Sequence, residues 1–402
     1  MSLQATFSPL RHRAYRWLWI AVMSSSFGNI VQIMAASWMM LDMGSSVMVP
    51  FVQTAANLPA VAFGLLAGAL TDSMGRRKLI LVSQIFALTV AMLLLLAVTR
   101  GAVDPFVLLA FTFLLGAANV LFLPAWQTSI HELLPKEDLA AAVGLNAIIV
   151  NAARCVAPAL GGMLMAIGGV RAAFLFNALS YFLLAVVLIA HPWNSPATAG
   201  SPLLRSIKEG LRYVGSDRSL VSIVAHAFVF SFNVSVYMSF LPLISRSLLG
   251  TNLDSYALAL SLFGSGSVLG GLLGTRLRGV FSGALLLAGC MGAMALCTVP
   301  LSFHAIPPII YGALFVAGFG WVLALSTLNY TLQMASLAQF VGRALSIYHL
   351  ATFSGLALGS ALWAWVATWI GLELTLSLSG AALIVAAFAL RRSVGAIPSV
   401  AQ

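Results

Sequence analysis

Apolar runs of about 20 residues recur along the whole chain, each long enough for a helix to cross the hydrocarbon core of a bilayer. A chain of 402 residues that is 61% hydrophobic and only 7% charged is not a soluble domain. In lipid each run must satisfy its own backbone polar groups, so each is expected to be a helix. The runs fall at about 15–41, 49–71, 79–99, 105–130, 140–168 and 170–190, then at 219–245, 255–275, 281–303, 306–332, 343–370 and 372–390. Twelve spans place both termini on one side. The first run is too long for a signal peptide and reads as an uncleaved span.

Charge supplies the orientation. The net charge of +10 does not mark a nucleic-acid surface, because the basic residues sit in short loops. Sixteen cations fall in loops on the side of the termini, among them Arg11, Arg13, Arg16, Arg76, Arg77, Lys78, Lys136, Lys208 and Arg343, against Arg100, Arg171 and Arg246 on the other. The positive-inside rule then makes the terminal side cytoplasmic. The remaining cation, Arg154, lies within a span. Cys155, Cys290 and Cys297 all lie in apolar spans and have neither disulfide nor metal-ligand spacing. No Walker A loop is present, so no ATPase is encoded.

Between the second and third runs lies Gly68-Ala69-Leu70-Thr71-Asp72-Ser73-Met74-Gly75-Arg76-Arg77-Lys78. Gly64 and Gly68 offer a smooth helix face, and Gly75 permits a tight turn. Asp72 sits at a helix C-terminus, against the local dipole, and calls for a cation or another helix's N-terminus. A weaker copy recurs at Gly270-Gly271-Leu272-Leu273-Gly274-Thr275-Arg276-Leu277-Arg278, keeping turn and basic charge while Gly274 replaces the carboxylate. The expected domains are therefore a six-helix bundle at 1–190, a linker at 191–218 and a second six-helix bundle at 219–402. Within the linker Leu204, Ile207, Leu211 and Val214 recur at helical spacing, which fits either an interfacial helix or a solvated one.

The pattern Gly-x3-Asp-x2-Gly-Arg-Arg-Lys resembles the loop signature of the major facilitator superfamily. The openings Phe7-Ser8-Pro9-Leu10-Arg11 and Ala36-Ser37-Trp38, Asn57-Leu58-Pro59, and the run from Leu145 to Gly162 are similar to its bacterial secretion-effector group, which includes the enterobactin exporter and macrolide efflux pumps. This resemblance implies an all-α fold of twelve membrane helices in two pseudo-symmetric bundles, with the substrate site between them near the midplane. It implies a gate of Gly68, Asp72, Gly75, Arg76, Arg77, Glu132, Gly342 and Arg343. In that gate Asp72 meets the helix opening at Gly342-Arg343, and Arg76 turns to Glu132. The alternative for Glu132 is simple membership of the solvated loop with Lys136, Glu137 and Asp138.

Polar residues inside spans are the candidates for the cavity: Asn29, Gln32, Asn57, Asn119, Asn151, Arg154, His226, Asn233, Tyr237, Asn329 and His349. For the amides the competing role is interhelical bonding; for the histidines it is packing. Ala153, Ala157, Pro158, Gly161 and Gly162 form a small-residue strip with an expected helix interruption at Pro158. The strip resembles the antiporter signature Gly-Pro-x-x-Gly-Gly, with Ala157 in place of a glycine. Arg154 is a ligand anchor or a structural lock, and both readings stay open, because no carboxylate lies near the middle of any span.

The expectation is a secondary exporter of a small organic molecule (siderophore, metabolite or amphiphilic drug), working by alternating access with proton antiport. It is multi-pass in the bacterial inner membrane and monomeric, with substrate, protons and lipids as partners and without cofactor, metal or nucleic acid. Asp42, Glu132, His226 and His349 are its candidate proton carriers. Alternatives are an uptake permease for a polar nutrient and a non-transporting sensor. A membrane enzyme is disfavoured, since no nucleophile–base pairing or membrane carboxylate pair is present.

Overall fold

The computed structural model describes residues 7–195, 203–250, 253–337 and 340–393, leaving aside the side chains of residues 65, 68, 69, 71–73, 140, 147, 148, 150, 151, 203–207 and 389–393. It is helical throughout, with no strand among the described residues. After a 3-10 turn at Ser8–Arg11 come α1 (Arg13–Asp42), α2 (Val49–Met74), α3 (Arg76–Thr99) and α4 (Pro105–Leu133). The segment Lys136–Ala190 is a helix pair, α5 (136–167) and α6 (170–190), split where Gly169 takes a φ of 62°. A linker helix α7 (Leu203–Ser216) precedes α8 (Arg218–Ser239), which short helical turns extend to Leu249. Then follow α9 (Leu253–Val280), α10 (Gly283–Ser302), α11 (Pro307–Ala335) and a second split segment, Val341–Ser393. Gly371, at φ 81°, divides that last segment into α12 (341–370) and α13 (372–393).

The two split segments hold 55 and 53 residues, each about twice a bilayer crossing at 1.5 Å per residue. Ten long apolar segments therefore make twelve crossings. Glycine is needed at both splits because only it enters positive φ without strain. Two local expectations are corrected. Helical geometry runs unbroken through Pro158, because packing of the helix within the bundle holds it straight where one backbone hydrogen bond is lost. In the repeated motif the turn also moves: α9 continues to Val280, because Leu277 stands where Gly75 (φ 78°) ends α2. The reversal is made instead at Ser282, whose hydroxyl accepts from the Leu285 amide.

Packing shows how the halves meet. The half of the first bundle away from the basic loops (Val31, Met34, Met40, Val52, Leu108, Phe174) shares one continuous core with the second bundle. Its basic end has a separate core of Tyr15, Leu18, Ile80, Trp126, Leu145 and Leu184. Contacts between bundles run along α5–α9 and α2–α12. Thr54 donates to the Ala357 carbonyl at 3.3 Å, and Cys155 Sγ lies 3.3 Å from Ser265 Oγ. A Cβ on Gly162 would touch Ala257, whereas Cβ atoms on Gly64, Gly144 and Gly342, towards the basic end, would meet nothing within 4 Å. Among the described residues, the contacts that join the bundles lie at mid-helix and toward the far end.

Candidate functional site

A cavity of about 310 Å³ lies where the bundles meet. Both contribute to its wall: Ile30, Met34, Gln53, Asn57, Arg154 and Pro158 from the first, Ser235, Tyr256, Phe263, Ser267, Trp321 and Ser360 from the second. It is closed at the far end by Trp38 stacked on Tyr256, with centroids 5.8 Å apart, and by Arg246, which donates to the Leu41 carbonyl at 3.2 Å. Asp42 lies 3.6 Å from the same guanidinium.

Arg154 sits about midway along α5 on the cavity wall, and among the described residues its guanidinium has no hydrogen-bond or ionic partner. Its own carbonyl lies against α9, where a Cβ on Gly264 would come within 1.9 Å of the oxygen. That approach explains a glycine at 264 and keeps Arg154 at the seam. The serines of the wall spend their hydroxyls on backbone carbonyls of their own bundle, as with Ser235 to Phe232, Ser267 to Phe263 and Ser360 to Leu356. Asn57 donates to the Gln53 carbonyl at 2.7 Å, leaving its amide oxygen and the Gln53 side chain for the cavity. Among the described residues no carboxylate lines it.

Of the eleven cavity candidates, the structure brings Asn57 and Arg154 together on the wall. Asn29 and Asn119 instead exchange reciprocal hydrogen bonds of 2.9 Å, and Tyr181 donates to Asn29 at 2.6 Å, tying α1, α4 and α6. Gln32 is buried and accepts from Asn177 at 3.2 Å. Asn233 donates to the Val229 carbonyl, and the Tyr237 hydroxyl to Met294, both inside the second bundle. His226 bonds within its own turn to Ser222, and Asn329 accepts from Gln333. His349 is exposed beside Tyr348 and Phe353, away from the cavity wall. Depth in the membrane selects all of these residues, whereas helix rotation turns Asn29, Gln32, Asn119, Asn233 and Tyr237 toward neighbours in the same bundle. Asn151 lies outside the described side chains. Tyr256, Phe263 and Trp321 carry no sequence signal that separates them from core aromatics.

At the basic end Arg76 Nη1 lies 2.6 Å from Glu132 Oε1, and Trp193 donates its indole N–H to Glu132 Oε2 at 2.9 Å. Ser195 Oγ accepts from the Arg76 amide at 2.9 Å, supplying the side-chain cap that Gly75 cannot give α3. Arg77 donates to the Leu188 carbonyl at 3.1 Å. Asp72 and Gly68 lie outside the described side chains. Gly342 is exposed, and Arg343 pairs with Glu209 of α7 at 2.9 Å. Tyr213 of α7 stacks on Phe340 at 4.3 Å, and its hydroxyl takes the Leu337 amide. The linker helix therefore docks on the start of α12. The small-residue strip works in two directions: Gly161 packs on Met34 and Val31, and Gly162 on Ala257 across the seam.

The amino-terminal arm is pinned as well. Asp138, in the first turn of α5, accepts from Ser8 and lies 2.8 Å from His12 Nε2. These bonds stabilise the carboxylate and hold its pKa below the usual value.

Comparisons agree with this architecture. The nucleoside transporter NupG superposes with a TM-score of 0.76 at 11% identity, covering 95% of this chain and 99% of that one. A bacterial homologue of the human lysosomal transporter Spinster, inward-facing and occupied, gives 0.74 at 14% identity, over 96% and 97%. By sequence, an uncharacterised MFS-type transporter, YfiS of Bacillus subtilis, is 28% identical across 81% of this chain and 80% of its own length. The multidrug efflux pump Tap of Mycolicibacterium fortuitum is 31% identical across 48% of this chain and 50% of its own. The staphyloferrin A transporter of Staphylococcus aureus is 27% identical over 44% and 45%. The family model described as transmembrane secretion effector matches residues 4–400, and the chain belongs to that family of multi-pass major facilitator transporters, which are not enzymes.

Proposed function

We propose that this transporter exports a small organic molecule from the cytoplasm by alternating access, in antiport with protons. The observation that carries the reading is the cavity between the bundles, walled off at the far end by the Trp38–Tyr256 stack and Arg246. With positive charge inside, the basic end is cytoplasmic in a bacterial inner membrane, both termini lie there, and the cavity is poised to load from the cytoplasm. The efflux relatives support the outward direction. In this reading the Arg76–Glu132 pair and the docking of α7 on Arg343 belong to the cytoplasmic gate, and both must rearrange as the bundles close there.

The test is flux in vesicles of known sidedness, with three radiolabelled probes of equal size: 2-naphthoate, 2-naphthamide and 2-naphthylmethylammonium. Everted vesicles with an acidic lumen are expected to accumulate at least one of them beyond vesicles lacking the protein, and to lose that excess when a protonophore collapses the gradient. Accumulation only in right-side-out vesicles would overturn export. Uptake indifferent to the protonophore would overturn proton coupling.

A further inference from the structure

We infer that the cavity is an anion site, selecting flat aromatic or amphiphilic molecules that carry a single negative charge. The inference deepens the exporter reading and rests on it for the word substrate, but the chemistry of the site stands on separate observations. A guanidinium without a partner among the described residues faces the cavity from mid-membrane, and no described acidic side chain shares the wall. The guanidinium is accessible from the cavity rather than sealed in the packing, and among the described residues the protein gives it no counter-charge, so that charge is left for a ligand to supply. In this arrangement α9 packs against the Arg154 carbonyl at Gly264, which holds the backbone that carries the charge at the seam.

The rest of the wall describes the remainder of the ligand. Among the described wall residues of the first bundle, Gln53 and the Asn57 oxygen are the other free polar groups, while every serine named above already donates to a carbonyl. Across from them Phe263 and Trp321 meet edge to face at 5.3 Å, and Tyr256 stands beside them on the same wall. One planar cation, amide groups and an aromatic surface suit a carboxylate or sulfonate on a ring system. The guanidinium fork grips two oxygens at once, which an ammonium cannot. A cationic ligand meets the same Arg154 with no acid to offset it and is excluded.

Equilibrium dialysis of the purified full-length protein with the three naphthyl probes tests this without reference to transport. Binding of 2-naphthoate is expected to be tighter than that of 2-naphthamide by about tenfold or more, the scale of a charge-assisted hydrogen bond, with 2-naphthylmethylammonium weakest. Arg154→Gln should erase the difference between anion and amide while retaining amide binding, which also shows that the variant is folded. Arg154→Lys should weaken the anion more than the amide. Equal binding of naphthoate and naphthamide by the native protein, an unchanged preference in Arg154→Gln, or no saturable naphthoate binding at all would overturn the inference. Anion-selective binding with no outward flux would leave the site assignment standing and sink the export reading.

Discussion

Gly264 and Gly318 present the same local problem with different global consequences. In each, an added Cβ would lie 1.9 Å from a backbone oxygen, of Arg154 for Gly264 and of Phe263 for Gly318. The Gly318 contact joins α11 to α9 inside one bundle, so it persists through any rocking of the bundles. The Gly264 contact crosses the seam. Gly318→Ala is therefore expected to lower stability by about 1–3 kcal/mol, the range for overpacking, read as a fall in melting temperature. Gly264→Ala should cost less, because the bundles can part at α5–α9 and relieve the clash. Cys155, next to Ser265 on this seam, reports the parting. Its maleimide labelling should rise in Gly264→Ala, while the buried Cys290 and Cys297 stay unreactive. An equal melting loss in both variants with unchanged labelling would show that the seam does not move.

At the scale of elements, the linker touches moving parts of both bundles. Its first residues hold Glu132 and the start of α3 through Trp193 and Ser195, and α7 holds α12 through Tyr213 and Glu209. A surface ion pair such as Glu209–Arg343 contributes about 0–1 kcal/mol, so the aromatic stack should dominate. Tyr213→Ala is expected to shift the balance of states severalfold, from about 0.5–1.5 kcal/mol of stacking plus a lost hydrogen bond. Glu209→Gln should do much less. Spin labels across the basic end would read both, and a larger effect from Glu209→Gln would reverse the assignment. The amino-terminal arm carries a pH prediction. Because the folded Asp138 carboxylate has a depressed pKa, its contribution is fully present above the ordinary aspartate value of about 3.9 and is lost as pH falls through the lower, folded one. Hydrogen exchange of residues 8–12 should therefore hold its protection from neutrality to about pH 4 and lose it below, as far as this carboxylate is concerned. In Asp138→Asn protection should already be reduced at neutral pH.

For the whole molecule, the far-end closure must be weak enough to open in each cycle. Arg246 and Asp42 are half-exposed and 3.6 Å apart, a geometry of little energetic consequence. The stack of Trp38 on Tyr256 is better buried, with Tyr256 only 3% exposed, and is the stronger fastening. Trp38→Ala should thus open the far end, seen as longer spin-label distances there, whereas Asp42→Asn should leave them nearly unchanged. In the proposed antiport the proton uses a group away from the cavity wall, since among the described residues no acidic side chain lines it. Neutralising Asp42, Glu132, His226 and His349 one at a time should uncouple flux from the gradient in at least one variant. Coupled pumping by all four would remove these residues as carriers.

The chain alone determined the class of fold, the number of crossings and the loops that bear charge. Apolar length, glycine at the reversals and the bias of arginine are local properties, and no distant contact can override them in lipid. The placement of Arg76 beside Glu132 was also legible, because both lie at helix ends that flank one surface. Which polar groups look into the cavity was decided only by tertiary structure. Asn29, Asn119 and Arg154 lie at similar depth in similarly apolar helices, yet the first two bond each other while Arg154 is left unpaired at the seam. That difference is set by the rotation of each helix about its own axis. Rotation follows from packing against residues far away in sequence, such as Tyr181 for Asn29 and Gly264 for Arg154.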